Sequence, residues 1–226
     1  METGNAKIFL ETLKTSDIRE IFIPVTTKKT IAPKRDESLQ ELKLLREQVL
    51  GCSQCGELVR NRHTIVFGSG NSKTDLLFVG EAPGAEEDRQ GLPFVGPAGQ
   101  LLTKMIQAIQ LSREEVFIAN VLKCRPPGNR PPRPQEIENC EPFLKKQISL
   151  IRPKLICALG TFAAQTILKT TTPISALRGR FHQYEGIPVL CTFHPSYLLR
   201  SPNEKKRAWE DLKKVRAFLD ELKKEK

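Results

Sequence analysis

A chain of 226 residues is long enough for one sizeable α/β core with an appended segment, and too short for two full domains. Its formal net charge of +10 draws it to polyanions, either nucleic acid or an anionic membrane surface. No apolar run approaches the ~20 residues of a membrane span, and the start METGNAKIFLETLKT lacks the basic-then-apolar pattern of a cleavable leader, which excludes a spanning role and places the protein inside the cell.

Residues 1–38 hold short apolar pieces such as Ile21-Phe22-Ile23-Pro24-Val25 without a sustained period. They are expected to form a flexible extension with room for a partner-binding peptide, ahead of one folded domain over 39–226. From Ser38 the pattern turns helical. Ser38 is placed to cap, Glu41 stands three residues on as in a capping box, and Leu39, Leu42, Leu45 and Val49 form an apolar stripe. This helix delivers Cys52 and Cys55, a C-x2-C pair that fits one metal centre.

Six cysteines in an intracellular chain point to metal ligation, redox work or burial rather than to disulfides. Cys124 follows the strand expected over 116–122, and Cys140 lies in the helix expected after the proline-rich loop 125–134. The spacing of Cys52, Cys55, Cys124 and Cys140 matches neither a zinc ribbon nor a ferredoxin, yet it allows one four-thiolate site for zinc or for a four-iron cluster. Cys157 and Cys191 sit in apolar, strand-like runs and are expected in the core.

Apolar runs recur at 75–80, 116–122, 153–160 and 187–193, with helical patterns such as 99–110 and 161–168 between them. That alternation predicts an α/β fold, a parallel sheet flanked by helices. Ligands of such sheets gather where the strands end. The first run stops at Gly80-Glu81-Ala82-Pro83-Gly84, where the glycines and proline can aim the Glu81 side chain inward. Glu86 and Asp88 read as solvated carboxylates ahead of a helix. Phe94 is held between Pro93 and Gly96, either to anchor the loop or to offer a flat face to a ligand. Asn120 ends the second run and His194-Pro195-Ser196 follows the fourth, so one edge collects an acid, an amide and an imidazole. Leu198, Leu199 and Arg200 are expected at the surface beside it, able to wedge into stacked bases. The helix expected over 203–226 carries the stripe Trp209, Leu212, Val215, Leu219 and Leu222. Its lysines, with Arg125, Arg130 and Arg133, are candidates for a phosphate track.

Four motifs in register, Gly80-Glu81-Ala82-Pro83-Gly84 with Glu87 and Asp88, Gly91-Leu92-Pro93-Phe94-Val95-Gly96, Asn120-Val121-Leu122-Lys123-Cys124-Arg125-Pro126-Pro127 and His194-Pro195-Ser196, resemble the family 4 uracil-DNA glycosylases. The likeness spans about residues 39–220. It implies a three-layer sandwich around a central, mostly parallel four-stranded sheet. It also implies a four-iron, four-sulfur cluster on Cys52, Cys55, Cys124 and Cys140, which favours iron over zinc. The implied reaction is hydrolysis of the uracil–deoxyribose bond in DNA, single- or double-stranded, by a monomer working at the nucleoid; a replication or repair partner would use the extension. By the same resemblance Gly80 and Phe94 frame the uracil, Asn120 reads its Watson–Crick edge, and His194 donates to the oxygen between its ring nitrogens. Glu81 positions the water, Glu87 excludes thymine, and Leu198 fills the vacated stack, a role that Leu199 or Arg200 could also serve; Arg200 is in any case a candidate DNA contact. The best-known uracil-DNA glycosylases have an aspartate where Ala82 stands, which shifts the carboxylate role to Glu81.

Overall fold

A computed structural model describes residues 35–224. The expected extension lies outside the described residues except for its last four positions, which are helical. Helix α1 (Arg35–Leu50) starts ahead of Ser38. Ser38 is therefore no N-cap. It is buried inside the helix, and its hydroxyl accepts from Arg152 Nη2 at 3.3 Å. Leu42, Leu45 and Val49 turn inward as their spacing requires, and α1 leads through α2 (Gly56–Asn61) into the sheet.

The sheet has six strands in the order β1-β3-β2-β4-β6-β5. Four of them, β2 (Leu76–Gly80), β3 (Phe117–Asn120), β4 (Leu155–Leu159) and β6 (Ile187–Thr192), are the expected parallel core. Two antiparallel edges, β1 (Ser69–Gly70) against β3 and β5 (Phe181–Tyr184) against β6, make the sheet mixed. Neither carried an apolar run. β1 is two residues long, and β5 is half-exposed as edge strands usually are.

Side chains alternate across each strand. Leu77 and Val79 of β2 join one core, with α1, α5 (Pro134–Ile151) and α6 (Thr161–Leu168). Leu76 and Phe78 join the other, with α4 (Pro97–Ala108) and the C-terminal helix α9 (Lys205–Lys224). Three layers result, with the sheet in the middle. Cys157 and Cys191 are fully enclosed within β4 and β6, as expected. On α9 the buried stripe is Ala208, Leu212, Val215, Phe218 and Leu219, whereas Trp209 is exposed, one position (about 100°) round from Ala208. No described helix is long and apolar enough to cross a membrane.

Candidate active site

The C-terminal ends of the parallel strands open into a cavity of about 490 Å³, lined among others by Glu81, Glu87, Phe94, Asn120, His194 and Arg200. Gly80 and Asn120 are register partners on adjacent parallel strands. The pairing continues past both strands, with Val121 N donating to Gly80 O at 2.9 Å and Leu122 N to Glu81 O at 3.0 Å. Glu81 thus hangs from fixed backbone. Gly80 is needed for space: a Cβ there would lie 2.4 Å from Asn120 Oδ1 and 2.5 Å from Phe94 Cζ. The Phe94 ring stands 5.5 Å from the His194 ring, tilted by 36°.

Burial sets three polar groups in this cavity apart, and one of them lacks the partner that buried groups normally have. Asn120 is 1% exposed, and its Oδ1 is buried without a hydrogen-bond partner among the described residues. Such an orphan acceptor costs about 1–3 kcal/mol, a cost that a ligand donor would remove. Burial pushes the Glu81 carboxyl up to about 7. Burial first, and Arg200 second, push His194 down to about 4, against an opposing pull from Glu87, so its ring is neutral at physiological pH. The tautomer follows from its contacts. His194 precedes the short helix α8 (Pro195–Arg200), and its Nδ1 accepts the Ser196 backbone N–H at 3.1 Å and lies 2.8 Å from Ser196 Oγ. An accepting Nδ1 leaves the single ring proton on Nε2.

Glu87 does more than wall the cavity. Its Oε1 accepts from Val95 N (2.8 Å) and Gly96 N (2.9 Å) and its Oε2 from Gly84 N (3.1 Å), so one buried carboxylate locks together the two loops that frame the site. Asp88 is not solvated. It is buried in α3 (Ala85–Gln90) and accepts the backbone N–H groups of His63 and Thr64. Glu86 does reach outward and pairs with Arg89 at 2.5 Å. Arg130 is held by Glu136 at 2.6 Å and Glu57 at 3.1 Å, and Arg133, itself largely exposed, also pairs with Glu57.

Leu198 is 1% exposed and packs into the core shared with α4 and α9, so it is not a surface residue. The next side chain, Leu199, is 43% exposed. Arg200, at the cavity rim, makes no ion pair among the described residues.

The four candidate cysteines come from two distant parts of the chain into one neighbourhood. Cys124 lies near enough to Cys52 and Cys55, and Cys140 to Cys124 and Cys55, for a thiolate at one to raise the pKa of the other. Among the described residues no three Cys, His, Asp or Glu side chains stand close enough to hold one metal ion. Arg62 Nη1 donates to Cys124 Sγ at 3.1 Å, its Nη2 to Cys52 O at 2.8 Å, and Asn139 Nδ2 to Cys55 Sγ at 3.4 Å. Burial pushes the Cys140 thiol up to about 11.

Lys123, between the amide and the thiols, was missed in the sequence. It is fully buried, donating from Nζ to Asn120 O at 2.7 Å and Gln147 Oε1 at 2.6 Å, while Gln147 Nε2 donates to Phe67 O at 2.9 Å. A lysine is among the residues least often enclosed, and no local pattern marks this one.

Residues 67–213 match the family model of the uracil DNA glycosylase superfamily. The chain is 43% identical over 187 residues to a type-4 uracil-DNA glycosylase of Archaeoglobus fulgidus, covering 79% of this chain and 92% of the relative. It is 44% identical over 182 residues to one of Thermotoga maritima (79% and 94%) and 42% over 187 residues to one of Sulfurisphaera tokodaii (79% and 84%).

Proposed function

Because the chain belongs to the uracil DNA glycosylase superfamily, in its type-4 branch, we propose that its cavity hydrolyses the bond between uracil and deoxyribose in DNA, leaving free uracil and an abasic site. The observation that carries this reading is the orphaned Asn120 Oδ1 beside the Phe94 and His194 rings. A uracil stacked on Phe94 presents its N3–H to that oxygen and its O4 to the amide N–H. Duplex DNA hides this edge, so the nucleotide is swung out of the stack at a cost of a few kcal/mol. The overall positive charge supplies sequence-blind attraction.

As the glycosidic bond breaks, electrons move onto the uracil O2 and positive charge onto the sugar. His194 Nε2–H supports the first change as a preorganised neutral donor that needs no proton transfer. Glu81 supports the second. Its carboxylate offsets the sugar cation and orients the water that adds to C1′, and a carboxyl titrating near 7 is matched to taking the water's proton at cellular pH. Glu87 sets the cavity wall on the side assigned to the uracil C5. A wall locked by three backbone donors cannot retreat from a methyl group, so thymine is excluded by fixed shape rather than by weak apolar preference. Leu199, exposed one turn beyond His194, takes the stack-filling role instead of Leu198, and Arg200 meets the DNA backbone.

Cys52, Cys55, Cys124 and Cys140 are suited to a four-iron, four-sulfur cluster. When bound, it supplies a cross-link between the α1–α2 region and the middle of the chain. Arg62 and Asn139 orient the thiols from outside.

The test is a single-stranded oligonucleotide with one uracil, incubated with the protein and then treated with alkali, beside a thymine control. Cleavage at uracil alone is expected. An intact strand after incubation with folded, iron-loaded protein contradicts the reading.

A further inference from the structure

Phe94, at the cavity, has a strained backbone: its φ is +53°, in the left-handed region that a bulky side chain rarely enters. Such a residue costs about 1–3 kcal/mol and persists only where its surroundings enforce it. Two features do so. Gly99, in the first turn of α4, lies so close that a Cβ there would fall 1.9 Å from both the carbonyl carbon and oxygen of Phe94. From the other side Arg113, nineteen positions further on, donates from Nη1 to Phe94 O at 3.0 Å and from Nη2 to Pro93 O at 2.7 Å. Nη1 also lies 3.3 Å from Thr103 Oγ1, whose hydroxyl donates to Gly99 O at 3.0 Å. One guanidinium therefore bridges two consecutive carbonyls of the pocket loop and the helix that backs it.

We propose that Arg113 is a positioning residue for base recognition: its planar fork holds the Pro93–Phe94 carbonyls in the left-handed turn and thereby fixes the Phe94 ring at the place where the extruded base stacks. Two parallel N–H donors from one rigid plane suit a pair of carbonyls that a single ammonium cannot satisfy with the same geometry. Arg113 touches no substrate and acts through Phe94. The assignment rests on the stacking role given to Phe94 above.

The test is a double-mutant cycle on the full chain, with Arg113→Met, Phe94→Ala and the pair, read as KM on a uracil strand and as the inhibition constant of free uracil. Arg113→Met is expected to raise both constants about 10- to 100-fold while the ring is present, because misplaced recognition groups cost on that scale, and to leave kcat less changed, as loss of ground-state binding does. In the Phe94→Ala background the same change is expected to do no more than about twofold, since no ring remains to place. Arg113→Lys, which keeps charge and stem, should fall between wild type and Arg113→Met. Equal losses in both backgrounds, or unchanged constants in a folded Arg113→Met protein, overturn the proposal. If Arg113→Met fails to fold, the Arg113→Lys cycle decides by the same criterion. Wild-type protein that releases no uracil overturns the glycosylase reading, a failure distinct from additivity in an active enzyme.

Discussion

Asn120 faces two environments that obey opposite rules. Behind it, Lys123 is enclosed at 1% exposure but partnered: its ammonium meets Asn120 O and Gln147, its carbonyl accepts from Val66 N, and Gln147 closes onto Phe67. In front of it, the side-chain oxygen has no partner among the described residues, Glu81 is pushed up to about 7 and His194 down to about 4, both chiefly by burial. Both regions bury polar groups, and only one satisfies them. Because folding penalises each orphan by about 1–3 kcal/mol, the contrast separates a polar network that holds the sheet edge to α5 from a polar set that awaits a ligand. Burial of polar atoms alone does not mark a site; an enclosed acceptor left without a partner at the ligand edge of the sheet points to one.

The largest effect expected from breaking this contrast is on rate. Glu81→Ala and His194→Ala should each lower single-turnover uracil excision about 10²- to 10⁴-fold while DNA affinity stays within a few-fold, since each removes a group used in the transition state. Affinity losses as large as the rate losses would make them binding residues. Next in size is Leu198→Ala, which should cost about 2–5 kcal/mol in denaturant unfolding because it empties an enclosed core position. A stability cost below about 0.5 kcal/mol would return Leu198 to the surface. The pH dependence is milder. With the Glu81 carboxylate as the active form, kcat/KM should rise up to tenfold per unit below about 7 and level off above it, with no further limb from His194 down to about 5. Glu81→Gln should flatten the profile, and a limb that survives that change belongs to another group. Smallest is Leu199→Ala, expected to lower excision from duplex several-fold more than from single strands and to leave stability within about 0.5 kcal/mol. Equal effects on both substrates would remove its wedge role.

The parallel core and its ligand edge were legible because each strand announces itself as an apolar run ending at a glycine, an asparagine or a histidine. Gly80, Glu81, Asn120 and His194 could be placed on one edge from that pattern alone. What sequence did not reveal depends on rotation or reach. Leu198 and Leu199 differ by one helical position, about 100°, which decides core against solvent, and the same step misassigns Trp209 beside Ala208. Arg113 acts on carbonyls 19 and 20 positions earlier, and Lys123 on a glutamine 24 positions later. Long side chains that close such gaps leave no trace in local periodicity. The two antiparallel edges were missed because a strand of two residues, and one that is half-exposed, carry too little apolar signal.

The most direct measurement of the central claim is a titration of free uracil, and separately thymine, into wild-type protein and Asn120→Ala, read by heat or by inhibition of excision. A cavity whose orphaned amide is completed by the base predicts that wild type binds uracil and not thymine, and that Asn120→Ala loses uracil binding while its unfolding midpoint does not fall. Uracil binding equal in the two proteins, or equal binding of uracil and thymine to wild type, would contradict it.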